Sequence, residues 1–183
     1  NRITSKGLDD KIGVFIVSQV MKRLSVIPDL SHTIYGVASV QEEVGCRGAI
    51  TCGYEINPDI SISVDVDFAT DVPDCSKKEF GDISLGKGVV ISKNLDNNKD
   101  LTYYAENIAK ENDIPYQLSA RFRSSGGTNA AKIQLSRSGV KTLLLGIPCR
   151  YMHTPVELCD LRDVEAAIEL IYKIIINYKC ILK

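Results

Sequence analysis

Between Ile60 and Asp67 apolar and polar side chains alternate without a break, with Ile60, Ile62, Val64 and Val66 on one side and Ser61, Ser63, Asp65 and Asp67 on the other. Alternation with a period of two is the mark of a strand that has one covered face, so the chain must build a sheet and lay something on it. This strand ends with two aspartates on one face. They are either the solvated charges by which an edge strand deters pairing with other chains or groups that hold something.

Helical and strand-like patterns take turns on either side of it. From Leu8 to Leu24 the apolar residues Ile12, Phe15, Ile16, Val20 and Leu24 recur at helical spacing, and Asp9 and Asp10 lie where the helix dipole favours negative charge. Residues 34–40 form an apolar run that reads as a buried strand, which closes on Glu42 and Glu43 before Gly45 turns the chain. Residues 46–55 predict a short helix, 80–88 a glycine-punctuated loop, 89–91 a short strand, 101–111 a helix and 116–120 another strand. The glycine-rich residues 124–129 match neither phosphate-binding glycine pattern and read as a tight turn capping a helical stretch at 130–138. Residues 141–146 are a buried strand, 147–155 carry the chain off its end, and 160–178 form a last helix with Leu161, Val164, Ile168, Ile171 and Ile175 on one stripe. Strands alternating with helices predict an α/β fold, with helices packed on the faces of a mostly parallel sheet.

At 183 residues the chain is long enough for one domain with a substantial core. A net charge of −1 with 25% charged residues gives no electrostatic case for nucleic acid, and no basic run marks a membrane surface. No apolar stretch has the length of a membrane-spanning helix, and the amino terminus lacks the layout of a signal peptide. Cys46, Cys52, Cys75, Cys149, Cys159 and Cys180 contain no CxxC pair, as expected for reduced, mostly buried thiols of a cytoplasmic protein. Because the first residue is asparagine, the chain is expected to begin inside a longer one.

Ligands in open α/β sheets bind at the carboxyl ends of strands, where this reading places Glu42 and Glu43. Neighbouring side chains on extended backbone point to opposite sides, so one glutamate can bind a metal while the other handles a proton. Other segments deliver Asp9, Asp65 or Asp67, and His153. Hard oxygen ligands with one imidazole suit a hydrolytic divalent metal, zinc first, with cobalt or manganese as substitutes. A glycosidase also uses paired carboxylates, but it needs them facing one another across the substrate, about 5–10 Å apart. The adjacent glutamates face apart, and the chain has no tryptophan on which a sugar ring could stack.

The stretches Gly7-Leu8-Asp9-Asp10-Lys11-Ile12-Gly13, Val40-Gln41-Glu42-Glu43-Val44-Gly45, Val64-Asp65-Val66, Asp71-Val72-Pro73, Leu85-Gly86-Lys87-Gly88, Gly126-Gly127-Thr128-Asn129-Ala130 and Ile147-Pro148-Cys149-Arg150-Tyr151-Met152-His153-Thr154-Pro155-Val156-Glu157 resemble, in order, the dinuclear-metal aminopeptidases of the glutamyl aminopeptidase and tetrahedral-peptidase (TET) group. Some members of that group carry the name cellulase M. The resemblance spans nearly the whole chain and implies a three-layer α/β/α fold of the zinc-peptidase kind around a mixed, mostly parallel sheet. It also implies two divalent metal ions, short peptides as substrates and a homo-oligomer. By the same resemblance Asp9 bridges the two metals, Glu43 and His153 bind one, Asp65 binds the other, and Glu42 is the general base. His32 fits no ligand position and is expected to be structural.

Two departures from the family pattern stand out. The family's fifth ligand is a histidine upstream of the bridging aspartate, separated from it by an inserted dimerisation domain, whereas the eight residues before Asp9 contain no histidine. Residues 1–183 are therefore expected to be the carboxyl-terminal part of a longer catalytic domain; a chain complete as it stands would hold metal weakly and act as a binding scaffold. Asn129 stands where the family commonly has aspartate, which bears on a contact around the metal site and not on a ligand.

Overall fold

A computed structural model describes residues 1–120 and 127–178. Strand β1 (Arg2–Ser5) leads into helix α1 (Leu8–Leu24), whose regular turns begin after Asp10, because Asp9 and Asp10 have non-helical backbone and are joined by a cis peptide. Leu8, Ile12, Ile16, Val20 and Leu24 are buried one turn apart, with Gly13 buried beside Ile12. Helix α2 (Arg47–Ile56), strand β2 (Ile60–Phe68), the single-turn helix α3 (Lys77–Phe80) and strand β3 (Val89–Ser92) follow. Helix α4 (Lys99–Glu111) begins where the Asn98 side chain accepts a hydrogen bond from the Leu101 N–H. Strand β4 (Tyr116–Ser119), helix α5 (Asn129–Ile133), strands β5 (Lys141–Cys149) and β6 (Glu157–Asp160), and helix α6 (Leu161–Asn177) complete the chain, with Asp160 capping the last helix through the Arg162 N–H.

The main sheet has the order β2-β5-β3-β4. β2 runs parallel to β5 from Ile60↔Lys141 to Phe68↔Cys149, β4 runs parallel to β3, and β3 meets β5 antiparallel. Every residue of β5 after Lys141 is buried, as a strand covered on both faces requires. On one face α1, α4 and α6 enclose a core with Val89, Ile91, Leu143, Leu145 and Ile147; on the other, α2 packs on α5, and α5 on β2 and β5. This is the expected three-layer α/β/α arrangement with a mixed, mostly parallel sheet. No helix among the described residues is long and apolar enough to cross a membrane.

β2 does lie at the sheet edge, but its polar side is not turned to water: Ser63 is buried, and Asp65 and Asp67 are partly covered. Gly146 makes room there, since a Cβ on it would come within 2.7 Å of the Asp67 Cβ.

Four sequence expectations need correction. Residues 34–40 form no strand; Tyr35 and Val40 are 64% and 65% exposed. An apolar run becomes a strand only when a neighbour takes up its backbone groups, and no described strand pairs with this one. The run contacts helices instead: Gly36 lies against Met21, and the Val40 carbonyl accepts from the Gly48 N–H. Helix α5 stops at Ile133, and turns that pass through Arg137 at φ 49° and Gly139 at φ 103° replace the rest of the expected helix. β5 continues through Pro148 to Cys149 instead of ending at Gly146. A two-stranded antiparallel sheet, β1 with β6, had no counterpart in the expectation. The turn expected at 124–129 lies partly outside the described residues, as does Cys180; the other five cysteines are free thiols, of which Cys46, Cys149 and Cys159 are buried.

Candidate metal centre

Three separate parts of the chain meet beyond the carboxyl ends of β2 and β5. Asp9 arrives from the non-helical start of α1 and Glu43 from the turn that follows residues 34–40. His153 comes from the connection between β5 and β6. One ligand atom from each of Asp9, Glu43 and His153 lies within 4.8 Å of the others. The His153 Nε2 is 3.1 Å from Asp9 Oδ2 and 3.6 Å from Glu43 Oε2. They open on a cavity of about 490 Å³ whose wall also includes Lys6, Thr154, Pro155 and Glu157.

Glu42 and Glu43 sit on a tight turn rather than at a strand end. The Glu42 carbonyl accepts from the N–H groups of Gly45 and Cys46. Their side chains nevertheless part: Glu43 faces His153, whereas Glu42 accepts from the Cys46 thiol at 3.5 Å. Asp65 stands outside the close trio but belongs to its electrostatic neighbourhood. Burial first, and then the charges of Glu42, Asp9 and Glu43, push its carboxyl up to about 7.

The same causes act across the site. Asp9 is pushed up to about 6 by burial and the nearby Glu43, with His153 opposing. Burial also raises Glu42. Asp10, read from the sequence only as a charge at the helix start, is pushed up to about 8 by burial and the Asp65 charge. It accepts from the Gly13 N–H at 2.9 Å, and a Cβ on Gly13 would come within 2.2 Å of its Oδ2.

Glu157 is a residue that the sequence left without a role. It is 3% exposed, and its two oxygens accept the backbone N–H groups of Asp9, at 3.1 Å, and His153, at 3.0 Å. One carboxylate thus fixes two converging segments, including a His153 backbone at φ 63°. Only its place four residues after His153 could have drawn attention to it. A further pair secures the same end of the sheet, where Arg150 grips Asp71 with two hydrogen bonds of 2.8 and 2.6 Å and holds its carboxyl below the usual range.

His32 lies elsewhere. Its ring meets the Tyr178 carbonyl at 2.6 Å and the Tyr178 ring edge-on, tying the chain ahead of residue 34 to the end of α6.

The family model for the M42 glutamyl aminopeptidases matches residues 1–170. The chain belongs to that family. It is 39% identical over 170 residues to a lysyl aminopeptidase of Pyrococcus furiosus, covering 93% of this chain and 47% of that protein. Among solved structures, the TET aminopeptidase of a marine-sediment archaeon of the Thaumarchaeota superposes with a TM-score of 0.88 at 35% identity, over 97% of this chain and 50% of that one. The Pyrococcus horikoshii TET1 peptidase, which can assemble into a tetrahedron or a large octahedral shell, superposes with a TM-score of 0.75 at 30% identity, over 97% and 51%. The chain therefore spans about half the length of the M42 relatives it matches.

The donor set suits a divalent cation. Burial first, and neighbouring carboxylates after it, raise Asp9, Asp10, Glu42 and Asp65 above their ordinary values. Oxygen donors with one imidazole are a ligand set for hydrolytic zinc.

Proposed function

We propose that this chain carries the catalytic centre of a metal-dependent aminopeptidase that removes the amino-terminal residue of short peptides. The convergence of Asp9, Glu43 and His153 from three distant segments carries the reading. In it, Glu43 and His153 would hold one divalent ion, Asp65 would contribute to holding a second, and Asp9 would serve both; zinc is the first choice, with cobalt or manganese as substitutes. Bound there, the metal supplies a polarised scissile carbonyl and a water acidic enough to attack near neutral pH.

The protein's own groups do the rest. Glu42 holds the proton taken from the water and delivers it to the leaving amine, a task for which a raised pKa suits a carboxylate. Glu157 keeps Asp9 and His153 in place. The surplus of carboxylates favours the positively charged amino end of a peptide over its interior, which restricts cleavage to chain ends. The shells formed by the P. horikoshii relative support a homo-oligomer for the full-length protein.

The test is metal content and hydrolysis of aminoacyl p-nitroanilides by the full-length protein, with and without chelator. Glu42→Gln is expected to keep its metal and lose activity about 10²–10⁴-fold. Activity that survives either the chelator or this substitution would refute the assignment.

A further inference from the structure

A second cavity, of about 260 Å³, adjoins the metal centre. Phe68, at the end of β2, forms part of its wall and also stands edge-on to the His153 ring, with centroids 6.4 Å apart. Tyr151 and Met152, which lead directly into His153, form another part. The partition between the two cavities is thus built from His153 and its neighbours.

Ala69, Val72, Cys75, Phe80 and Cys149 complete a mostly apolar lining in which no described residue carries a charged side chain. Its one aliphatic hydroxyl, on Thr70, is already engaged: it donates to the Gly81 carbonyl and accepts from the Ile83 N–H, each at 2.9 Å. Asp71 and Arg150, each next in sequence to a wall residue, form an ion pair with one another. A carboxylate or ammonium entering the cavity would lose water and find no charged partner among the described wall residues, whereas an apolar side chain would gain from burial. The volume lies below the range of about 300–1,000 Å³ of pockets that take a drug-sized ligand. It is room for one side chain.

We propose that this cavity receives the side chain of the substrate's amino-terminal residue and that the enzyme prefers leucine or methionine there over glutamate or lysine. The proposal rests on the aminopeptidase reading above. It sets this chain apart from its P. furiosus relative, a lysyl aminopeptidase, because none of the described wall residues carries a charge that would pair with lysine.

The test uses the metal-loaded full-length protein. Rates on leucyl, methionyl, glutamyl and lysyl p-nitroanilides are compared, and binding of free L-leucine, L-glutamate and L-lysine is measured by calorimetry on the same preparation. Leucine and methionine are expected to exceed glutamate and lysine at least about tenfold, a difference of about 1.4 kcal/mol. Val72→Lys, which places a cation in the wall, should lower the leucine-to-glutamate ratio at least about tenfold. Selective binding of leucine without hydrolysis of any substrate would uphold the pocket and refute the aminopeptidase reading. A preference for glutamate or lysine, a leucine preference untouched by Val72→Lys, or no binding and no hydrolysis would each overturn the pocket.

Discussion

Glu157 shows how one buried side chain can decide whether a site exists. Its carboxylate takes the N–H groups of Asp9 and His153, residues 144 positions apart in the chain, and nothing else described joins the two backbones so directly. Glu157→Ala would leave two partly buried donors unpaired, at up to about 1–3 kcal/mol each. Residues that orient metal ligands typically change metal affinity about 10–100-fold when replaced. Calorimetric titration with zinc is expected to show a loss of that size in Glu157→Ala and a smaller one in Glu157→Gln, which keeps one acceptor. Unchanged affinity in both would mean that Asp9 and His153 hold their places unaided. At this scale the sequence was legible through motif context: Asp9, Glu43 and His153 were singled out and do meet, Asp10 was read only as a charge at a helix start, and Glu157 was passed over. An acid beside a turn looks solvated in sequence, and only the fold reveals that Glu157 is enclosed.

Among the elements, α6 does more than fill the core. Asp163 in its first turn is fully buried, and its two oxygens accept the N–H groups of Gly86 and Gly88, each at 2.7 Å. The helix thereby fixes the loop that delivers β3 to the sheet. Asp163→Ala should destabilise the protein by about 2–4 kcal/mol, given one buried and one partly buried donor left without acceptors; urea unfolding checks this, and a change below about 1 kcal/mol would show that water or a backbone shift replaces the carboxylate. Helices α1, α4 and α6 were readable because each carries a stripe at helical spacing, and α4 and α6 carry a cap as well; the single turn of α3 was not anticipated. β1 and β6 were not, since four-residue strands pairing Arg2 with Asp160 depend on contacts that no local pattern records. Residues 34–40 failed for the converse reason. Their pattern suits a strand, but a strand is a relation between two segments, and no partner is found among the described residues.

The pH dependence of the whole molecule follows from its carboxylates. Burial and mutual repulsion raise Asp9 to about 6, Asp65 to about 7 and Asp10 to about 8, and burial raises Asp163 to about 6. Each binds its proton more tightly in the folded chain than in the unfolded one, so it favours folding most below its ordinary value of 3.8 and loses that contribution as pH rises through the folded value. Asp71 and Asp160 work in the other direction, because their arginine partners lower them. Their contribution is present above 3.8 and is lost only as pH falls through the lowered values. The two groups therefore act in different windows. Metal-free protein is expected to be most stable near pH 4–5 and to lose stability steadily towards pH 8, with the acids of the metal centre responsible for the upper half of the fall. A divalent cation bound to the ionised carboxylates reverses that balance, because it stabilises the form that burial disfavours and binds more tightly as protons leave. Thermal melts at intervals from pH 4 to 8, with chelator and with zinc, should therefore diverge, the zinc-loaded protein gaining most at the alkaline end. Asp65→Asn should flatten the metal-free profile above pH 6 and reduce the gain from zinc together, since the same carboxylate produces both; a metal-free melting temperature that climbs from pH 5 to 8 would place the dominant charges somewhere other than this centre.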